Sequence, residues 1–334
     1  MRSAGGVGPG GVGPDPPHPG DGSVADLGEF GVIARVTAGR KPPPGTLLGP
    51  GDDAAVLAAP DGRVVACTDV LVEGVHFRLD WSTPHQVGRK AVAANLADVA
   101  AMGAVPTGLV VGLGCPGHTP VSTVDGLVDG MWAEAGRVGT GVVGGDVVSA
   151  PKIFISVTAL GDLQGRAPVT RCGARPGDVL GVCGRLGWAA AGLAVLGRGF
   201  RSPTMVVGAH RVPEPPYAAG PHAAAAGATA MIDVSDGLLA DAGHLAEASG
   251  VRIDIDSAAL AVPRKLVEVA SALGADPRHW VLTGGEDHAL LASFPAESAL
   301  PAGWTVIGVV AEGRAVTVDG TPYEGSAGWD HFGS

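Results

Sequence analysis

From about residue 25 the chain alternates between short continuous apolar runs and longer stretches whose apolar positions recur at three and four. The segment "EFGVIARVTA" has helical spacing and is followed by a Pro/Gly loop over 41–52. "AAVLAA" and "RVVACTDVLV" predict two strands joined by the turn "PDG". "HQVGRKAVAANLADVAAMG" predicts a long helix built from small residues, and "PTGLVVGLG" a buried strand. "VSTVDGLVDGMWAEAGRVG" predicts a second helix, with "TGVVGGD" and "KIFISVTALG" as further strands. Around 162–177 the text is rich in turn residues and loses its period, which marks a boundary between domains at 25–165 and 166–334. Beyond it, "DVLGVCG", "TAMIDVS", "VRIDID", "HALLASF" and "WTVIGVV" predict strands. "GWAAAGLAVLG", "DGLLADAGHLAEASG" and "PRKLVEVASALG" predict helices. The mixture assigns both halves to the α/β or α+β class, with strand order left open.

Residues 1–24, rich in Gly and Pro, carry almost nothing to bury and read as a disordered tail. The remainder is globular: 46% of the 334 residues are hydrophobic, and no apolar run reaches the ~18 residues of a membrane span. The amino terminus lacks a signal-peptide layout, and four scattered cysteines without a C-x-x-C pair indicate neither a zinc knuckle nor a disulfide framework. A cytoplasmic protein fits these features. The formal charge of −11 argues against nucleic acid as a partner, because phosphate backbones are held by clustered Lys and Arg.

The acids themselves are patterned. "GPGDDAAVL" at 49–57 sets Asp52 and Asp53 at the mouth of a strand, where an ordinary Asp turn is the competing reading. "CTDVLVEGVHF" carries Asp69 at a strand end and His76 seven residues on. "NLADVAAMGA" puts Asn95 and Asp98 on one side of an apolar helix, where Asp98 needs either Arg89 or Lys90 as a partner or a metal ion. "VVGGD" places Asp146 just past a strand, and "MIDVSDGLL" brackets Ser235 with Asp233 and Asp236, part of which reads as a helix cap. "LTGGEDHALL" repeats the arrangement with Glu286 and Asp287. Carboxylates at strand ends can converge on one site, and acids without a His or Cys ligand set suit Mg²⁺ held together with substrate phosphates. A G-x-G-x-x-G pattern, "GLGCPG" at 112–117, leaves a dinucleotide-binding oxidoreductase as an alternative.

Eight stretches stand in one order over residues 28–333: "GPGDDAAVL", "TDVLVEGVHF", "GRKAVAANLADVAAMGA", "VVGGD", "RCGARPGD", "MIDVSDGLLAD", "LTGGEDHALL" and "GWDHFG". Together they resemble the thiamine-monophosphate kinases, of the superfamily that includes aminoimidazole ribonucleotide synthetase and selenophosphate synthetase. The resemblance implies a two-domain fold of the aminoimidazole ribonucleotide synthetase type, with an amino-terminal dimerising domain and a carboxy-terminal α/β domain. It implies ATP-dependent, Mg²⁺-assisted phosphorylation of thiamine monophosphate to thiamine diphosphate by a homodimer. Carried over residue by residue, the Mg²⁺ ligands fall on Asp53, Thr68, Asp69, Asp98, Asp146, Asp233 and Asp236, with Cys67 where the family often has a metal-contacting Ser. Nucleotide contacts fall on Gly145, Asp146, Arg171 and Ser235; thiamine-phosphate contacts fall on His76, Glu286 and Trp329. Asp98, Asp146 and Arg171 form the implied catalytic set. Besides Cys67, the chain departs from the family pattern at Ala97 in place of Ser and His288 in place of Tyr. Trp329 has two readings, a ring stacked on thiamine or a plug over the core. A sister enzyme of the superfamily and a non-catalytic nucleotide binder remain alternatives to the kinase.

Overall fold

A helix made of small residues, packed on nearly every side, joins two β-sheets; the computed structural model describes residues 22–49 and 54–329. The chain enters through α1 (Val24–Thr37), whose capping box pairs Ser23 with Asp26: the Asp26 N–H donates to Ser23 Oγ at 3.3 Å and the Ser23 N–H to the Asp26 carboxylate at 2.8 Å. The Val121 N–H also donates to the Gly22 carbonyl at 3.0 Å. Residues 22–24 thus belong to the fold and not to the predicted tail, whose residues 1–21 lie outside the described residues, as do Asp52 and Asp53. Strands β1 (Thr46–Leu48) and β2 (Val56–Leu57) pair with each other, so the predicted loop over 41–52 contains a strand and the predicted strand over 54–59 shrinks to two residues.

Next come β3 (Val65–Val72), α2 (Pro84–Ala101), β4 (Val105–Cys115), α3 (Val121–Gly136), β5 (Val142–Ser149) and β6 (Phe154–Asp162). They form a sheet in the order β3-β6-β4-β5, antiparallel except for β4 against β5. Register fixes its faces. Leu71, Ile155 and Leu113 share a row, as do Asp69, Val157 and Val111, and these rows face α2 and α3. The opposite face presents Val70 and Val110, 47% and 38% exposed, with Thr68 and Thr158.

The second half contains β7 (Val179–Cys183), α4 (Trp188–Gly197), α5 (Thr204–Arg211), α6 (Ala219–Ala225), β8 (Ala230–Val234), α7 (Leu238–Ser249) and β9 (Arg252–Ile255). It continues through α8 (Arg264–Leu273), α9 (Pro277–Thr283), β10 (Ala289–Phe294), β11 (Thr305–Ala311), β12 (Ala315–Val318) and β13 (Thr321–Pro322). Its sheet runs β13-β12-β9-β11-β7-β10-β8, antiparallel apart from β12 against β9. Helices α5, α6 and α9 and the β12–β13 pair have no counterpart in the sequence reading. They span two to eight residues each, too few to develop a period, and α6 carries Gly and Pro inside it. No helix of the described residues is long and apolar enough to cross a membrane.

Helix α2 touches both sheets because its neighbours approach to backbone distance. A Cβ on Gly88 would lie 1.9 Å from the Leu127 carbonyl oxygen of α3, and one on Gly130 of α3 would lie 2.0 Å from the His85 carbonyl of α2. At its far end Ala100 and Ala101 join Val169, Ala223, Met231, Leu290 and Phe294 in a core that seals the two halves together. The glycines of "GLGCPG" serve packing too. Gly112 and Gly114 lie within β4, a Cβ on Gly114 would meet the Phe154 ring at 2.0 Å, and α3 starts only at Val121. The phosphate-cradling turn that a dinucleotide site requires is therefore not formed there.

Gly88→Ala and Gly130→Ala should each force α2 and α3 apart and destabilise by roughly 3 kcal/mol or more, at the upper end of overpacking penalties. Gly243→Ala, on α7 with open space around its Cβ, should instead stabilise by about 0.5–1 kcal/mol through helix propensity. Thermal melts of the three variants check both signs.

Candidate active site

Between the two sheets lies a cavity of about 760 Å³. The first half supplies its wall from the end of β3 (Thr68, Asp69, Val70, Leu71), the loop that follows (His76, Phe77, Arg78, Trp81), and the Lys90, Ala94 and Asp98 positions of α2. The second half adds α4, His210 of α5, the β8 end with Asp233, Ser235 and Asp236, the loop 285–288, and Trp329. Nine of the residues singled out from the sequence meet here: Thr68, Asp69, His76, Asp98, Asp233, Ser235, Asp236, Glu286 and Trp329.

One part of the cavity gathers negative charge. Asp69 stands on the helix-facing side of β3, its N–H donating to Asn95 Oδ1 of α2 at 3.0 Å, while fully buried Asn95 anchors itself through Nδ2 on the Ala91 carbonyl at 3.0 Å. Asp98 follows one helical turn later. Neither proposed basic partner reaches it: Arg89 pairs with Glu134 at 2.7 Å and Lys90 with Glu286 at 2.7 Å. Burial, then the nearby Asp233 and Asp69 charges, push the Asp98 carboxyl up to about 7. Asp69 is raised as well, first by burial, against the pull of His288. His288 is the basic side chain that the second half brings to the cluster. Its Nδ1 lies 3.0 Å from Asp233 Oδ2; burial is the largest influence and opposes its charge, but Asp233, Glu286 and Asp98 together raise the imidazole above its ordinary value. His288, noted from the sequence only as a departure from the family pattern, is thus hydrogen-bonded to a candidate ligand.

Asp236 adjoins a further set, in which it, Asp241 and exposed His244 each place one ligand atom within 4.8 Å of the others. Asp241 Oδ2 already accepts the Asp236 and Gly237 N–H groups at 3.0 and 3.1 Å. The start of α7 is thus held by Asp241 and not by the expected Ser235 or Asp236 cap.

A second cluster surrounds Glu286. Its carboxylate bridges Lys90 Nζ at 2.7 Å and His210 Nδ1 at 3.2 Å, and Trp81 meets the His210 ring edge-on with centroids 6.3 Å apart. His76 Nδ1 accepts the Val72 N–H at 3.0 Å, which leaves Nε2 as the protonated nitrogen of the neutral ring. The loop bearing Glu286 is stitched to β8: the Glu286 N–H donates to the Ser235 carbonyl at 2.8 Å and the His288 N–H to the Val234 carbonyl at 3.0 Å. Glu286 and His288 hold φ of 67° and 52°, a left-handed backbone that non-glycine residues adopt rarely and chiefly where the surroundings impose it. Asp287 between them points away and accepts the Trp188 and Ala189 N–H groups at the start of α4, both at 2.9 Å. Trp329 is fastened by its N–H to the Asp236 carbonyl at 2.9 Å and is 62% exposed, so it lines the mouth and does not plug the core.

Gly145, Asp146, Arg171 and Cys67 are absent from the cavity lining. Asp146 shares a row with Gly112, Ser156 and Val70, at the edge strand β5, so three strand spacings, roughly 14 Å, separate it from β3. A Cβ on Gly145 would lie 2.1 Å from the Val111 carbonyl oxygen, which gives that glycine a packing reason of its own. Arg171 is exposed, its carbonyl accepting from Ser249 Oγ at 2.9 Å. Cys67 sits behind the cavity wall with Sγ 3.4 Å from the Asn95 carbonyl, and burial, then Asp98 and Asp69, keep it a neutral thiol. Asp53 lies outside the described residues. Lys90, His210 and Trp81 were not singled out as site residues. The buried lysine in an apolar helix was the available signal for the first; the others have none in the sequence.

Comparison with known proteins identifies the family. The family described as AIR synthase related protein, N-terminal domain, matches residues 51–163. The thiamine-monophosphate kinase of Mycobacterium tuberculosis is 58% identical over 313 residues, 93% of each chain, and that of Corynebacterium glutamicum is 44% identical over 93% of this chain and 95% of its own. A solved structure of AaThiL complexed with AMPPCP and TMP superposes with a TM-score of 0.77 at 37% identity, covering 92% of this chain and 98% of that one. The chain belongs to the thiamine-monophosphate kinase family.

Proposed function

We propose that the protein transfers the γ-phosphoryl group of ATP to the phosphate of thiamine monophosphate, giving thiamine diphosphate and ADP. The observation that carries this reading is the pairing, in one cavity, of a carboxylate cluster with a separate aromatic-walled cluster around Glu286. The first suits cations that neutralise phosphates; the second suits a cationic, amine-bearing heterocycle. The AaThiL structure, complexed with AMPPCP and TMP, supports the same pair of ligands for this chain.

Mg²⁺ fits the donor set. Asp69, Asp98, Asp233 and Asp236 supply hard oxygen ligands with Thr68 beside them in the lining, and Asp98, its carboxyl raised first by burial and then by the Asp233 and Asp69 charges, has neither Arg89 nor Lys90 as a partner. Bound there, Mg²⁺ would supply charge neutralisation for in-line phosphoryl transfer. The residues of the chain then have positioning roles. The acceptor phosphate is already ionised near neutral pH, so no side chain need act as general base. Trp329 offers a stacking face at the cavity mouth, Glu286 an anionic acceptor, and His76 an N–H donor through Nε2.

Asp146, Gly145 and Arg171 are proposed as nucleotide contacts beyond the cavity proper, with Asp146 also a metal ligand. Asp146 is exposed, and its Oδ1 accepts only the neighbouring Val147 N–H at 2.8 Å among the described hydrogen bonds, which leaves the carboxylate available. A homodimer is proposed through the open sheet face carrying Val70 and Val110, whose exposed apolar side chains favour burial against a second copy. The division into domains at 25–165 and 166–334 is proposed on the irregular crossing between β6 and β7. A cytoplasmic setting is supported by four free cysteines.

The direct test is thiamine diphosphate formation from thiamine monophosphate and Mg-ATP; ATP hydrolysis without that product would refute the assignment. Trp329→Ala should raise KM for thiamine monophosphate about tenfold, as for loss of one stacking contact, while leaving KM for ATP and the melting temperature nearly unchanged. Asp98→Asn should abolish most turnover yet stabilise the metal-free protein. The sign follows from linkage: the Asp98 carboxyl rises from 3.8 to about 7 on folding, so its contribution is favourable at low pH and is lost as pH rises through about 7. At about pH 8 the variant should therefore melt higher, by on the order of 2 kcal/mol, and the gain should vanish toward about pH 4.

A further inference from the structure

Glu286 stands in the cavity wall between groups contributed by both halves of the chain. Lys90 Nζ, on α2 of the first half, lies 2.7 Å from Oε1, and His210 Nδ1, on α5 of the second, lies 3.2 Å from Oε2. The Lys90 side chain is only 7% exposed. Its ammonium makes a second contact, donating to the His76 carbonyl at 3.2 Å. One buried cation therefore touches two of the segments that face the substrate. A buried ammonium needs a counter-charge to persist, but structural need alone does not require that counter-charge to be the carboxylate exposed to the cavity.

The two partners of Glu286 are not equivalent. Burial, reinforced by the Lys90 charge, lowers the His210 imidazole below its ordinary value even with Glu286 beside it, so His210 is neutral at neutral pH, and its Nδ1, 3.2 Å from Glu286 Oε2, lacks hydrogen-bond geometry toward it. Charge compensation falls to Lys90. Burial by itself would raise the Glu286 carboxyl; Lys90 and then His210 hold it well below the usual carboxylate range. His288, two residues on, also senses Glu286, and its own hydrogen bond goes to Asp233. The left-handed backbone at Glu286, φ 67°, limits the positions from which its side chain can reach the cavity.

We propose that Lys90 is a positioning residue for the thiamine substrate: by bridging the Glu286 carboxylate and the His76 carbonyl across the two halves, it fixes Glu286 as an oriented anion for the cationic, amine-bearing part of the ligand. The proposal rests on Glu286 being a substrate contact. Lys90 does not touch the reacting phosphates in this scheme, so its effect belongs to thiamine monophosphate and not to ATP.

The test is calorimetric titration of thiamine monophosphate into the full chain without nucleotide, together with the two KM values, for Lys90→Met, Glu286→Gln and the double variant. The wild type should bind with nearly constant affinity from about pH 6 to 8. Lys90→Met should weaken binding about tenfold or more near neutrality, with affinity recovering as pH rises and Glu286 ionises, and should leave KM for ATP unchanged. The double variant should bind no more weakly than Glu286→Gln alone, because both changes remove one shared interaction. Lys90→Gln keeps a donor for His76 but lacks the charge and carries the same expectation, so the test survives a folding failure of Lys90→Met. If the Lys90 variants melt lower but bind with wild-type affinity and a flat pH profile while Glu286→Gln binds weakly, Lys90 is structural and the proposal is overturned alone. If Glu286→Gln itself binds normally, the substrate reading of Glu286 falls and the proposal falls with it.

Discussion

Helix α2 is buried between two sheets, and a helix so enclosed can carry polar groups only where another part of the chain meets them. Each one is met. Asn95 holds the β3 backbone beside Asp69, and Lys90 holds Glu286 from the far half. Arg89 turns to Glu134, which is itself fully buried and also accepts the Tyr217 hydroxyl at 2.7 Å. Asp98 is the exception among them, since its nearest charged neighbours include two further carboxylates. That unbalanced charge is what the small residues of α2 make possible: with glycine and alanine at the contacts, both sheets close on the helix and bring strand ends from each to one cavity.

The second half meets this helix with three segments bound to one another through their backbones. The β8 end accepts hydrogen bonds from the loop bearing Glu286 and from the carboxy-terminal strap bearing Trp329. The approach is close enough that a Cβ on Gly285 would lie 2.4 Å from the Ser235 carbonyl oxygen, and one on Gly328 2.5 Å from that of Asp236. The recurring glycine–carboxylate pairs of the sequence follow from this crowding: the glycine lets the strand pass and the acid turns into the space beyond. The three polar residues at 286–288 then divide the work, Glu286 to the cavity, Asp287 to the start of α4, and His288 to Asp233.

The long helices and buried strands were legible because their period extends over enough residues to register, and the acids because a carboxylate beside an apolar run demands a partner, although Asp69 and Asp146 lie within β3 and β5 and not at their ends. What the sequence could not supply was that partner's identity. Lys90 and Glu286 are nearly 200 positions apart in the chain, and nothing local to either points to the other. His210 lies on a helix of eight residues that periodicity does not resolve. The glycines of β4 resembled a phosphate turn because the pattern records small residues and not what crowds them; Phe154, on a neighbouring strand, is the reason for Gly114. Distance was equally invisible. Asp146 carries the same local grammar as Asp69, yet register places it at the opposite edge of the sheet.

The account stands or falls on where cations and the thiamine ring sit. Crystals grown with Mn²⁺, a non-hydrolysable ATP analogue and thiamine monophosphate would locate both, the cations by anomalous difference density. The account predicts anomalous peaks among Asp69, Asp98, Asp233 and Asp236, with the ring between Trp329 and Glu286. Peaks confined to other carboxylates, or a thiamine ring bound away from Glu286, would contradict it.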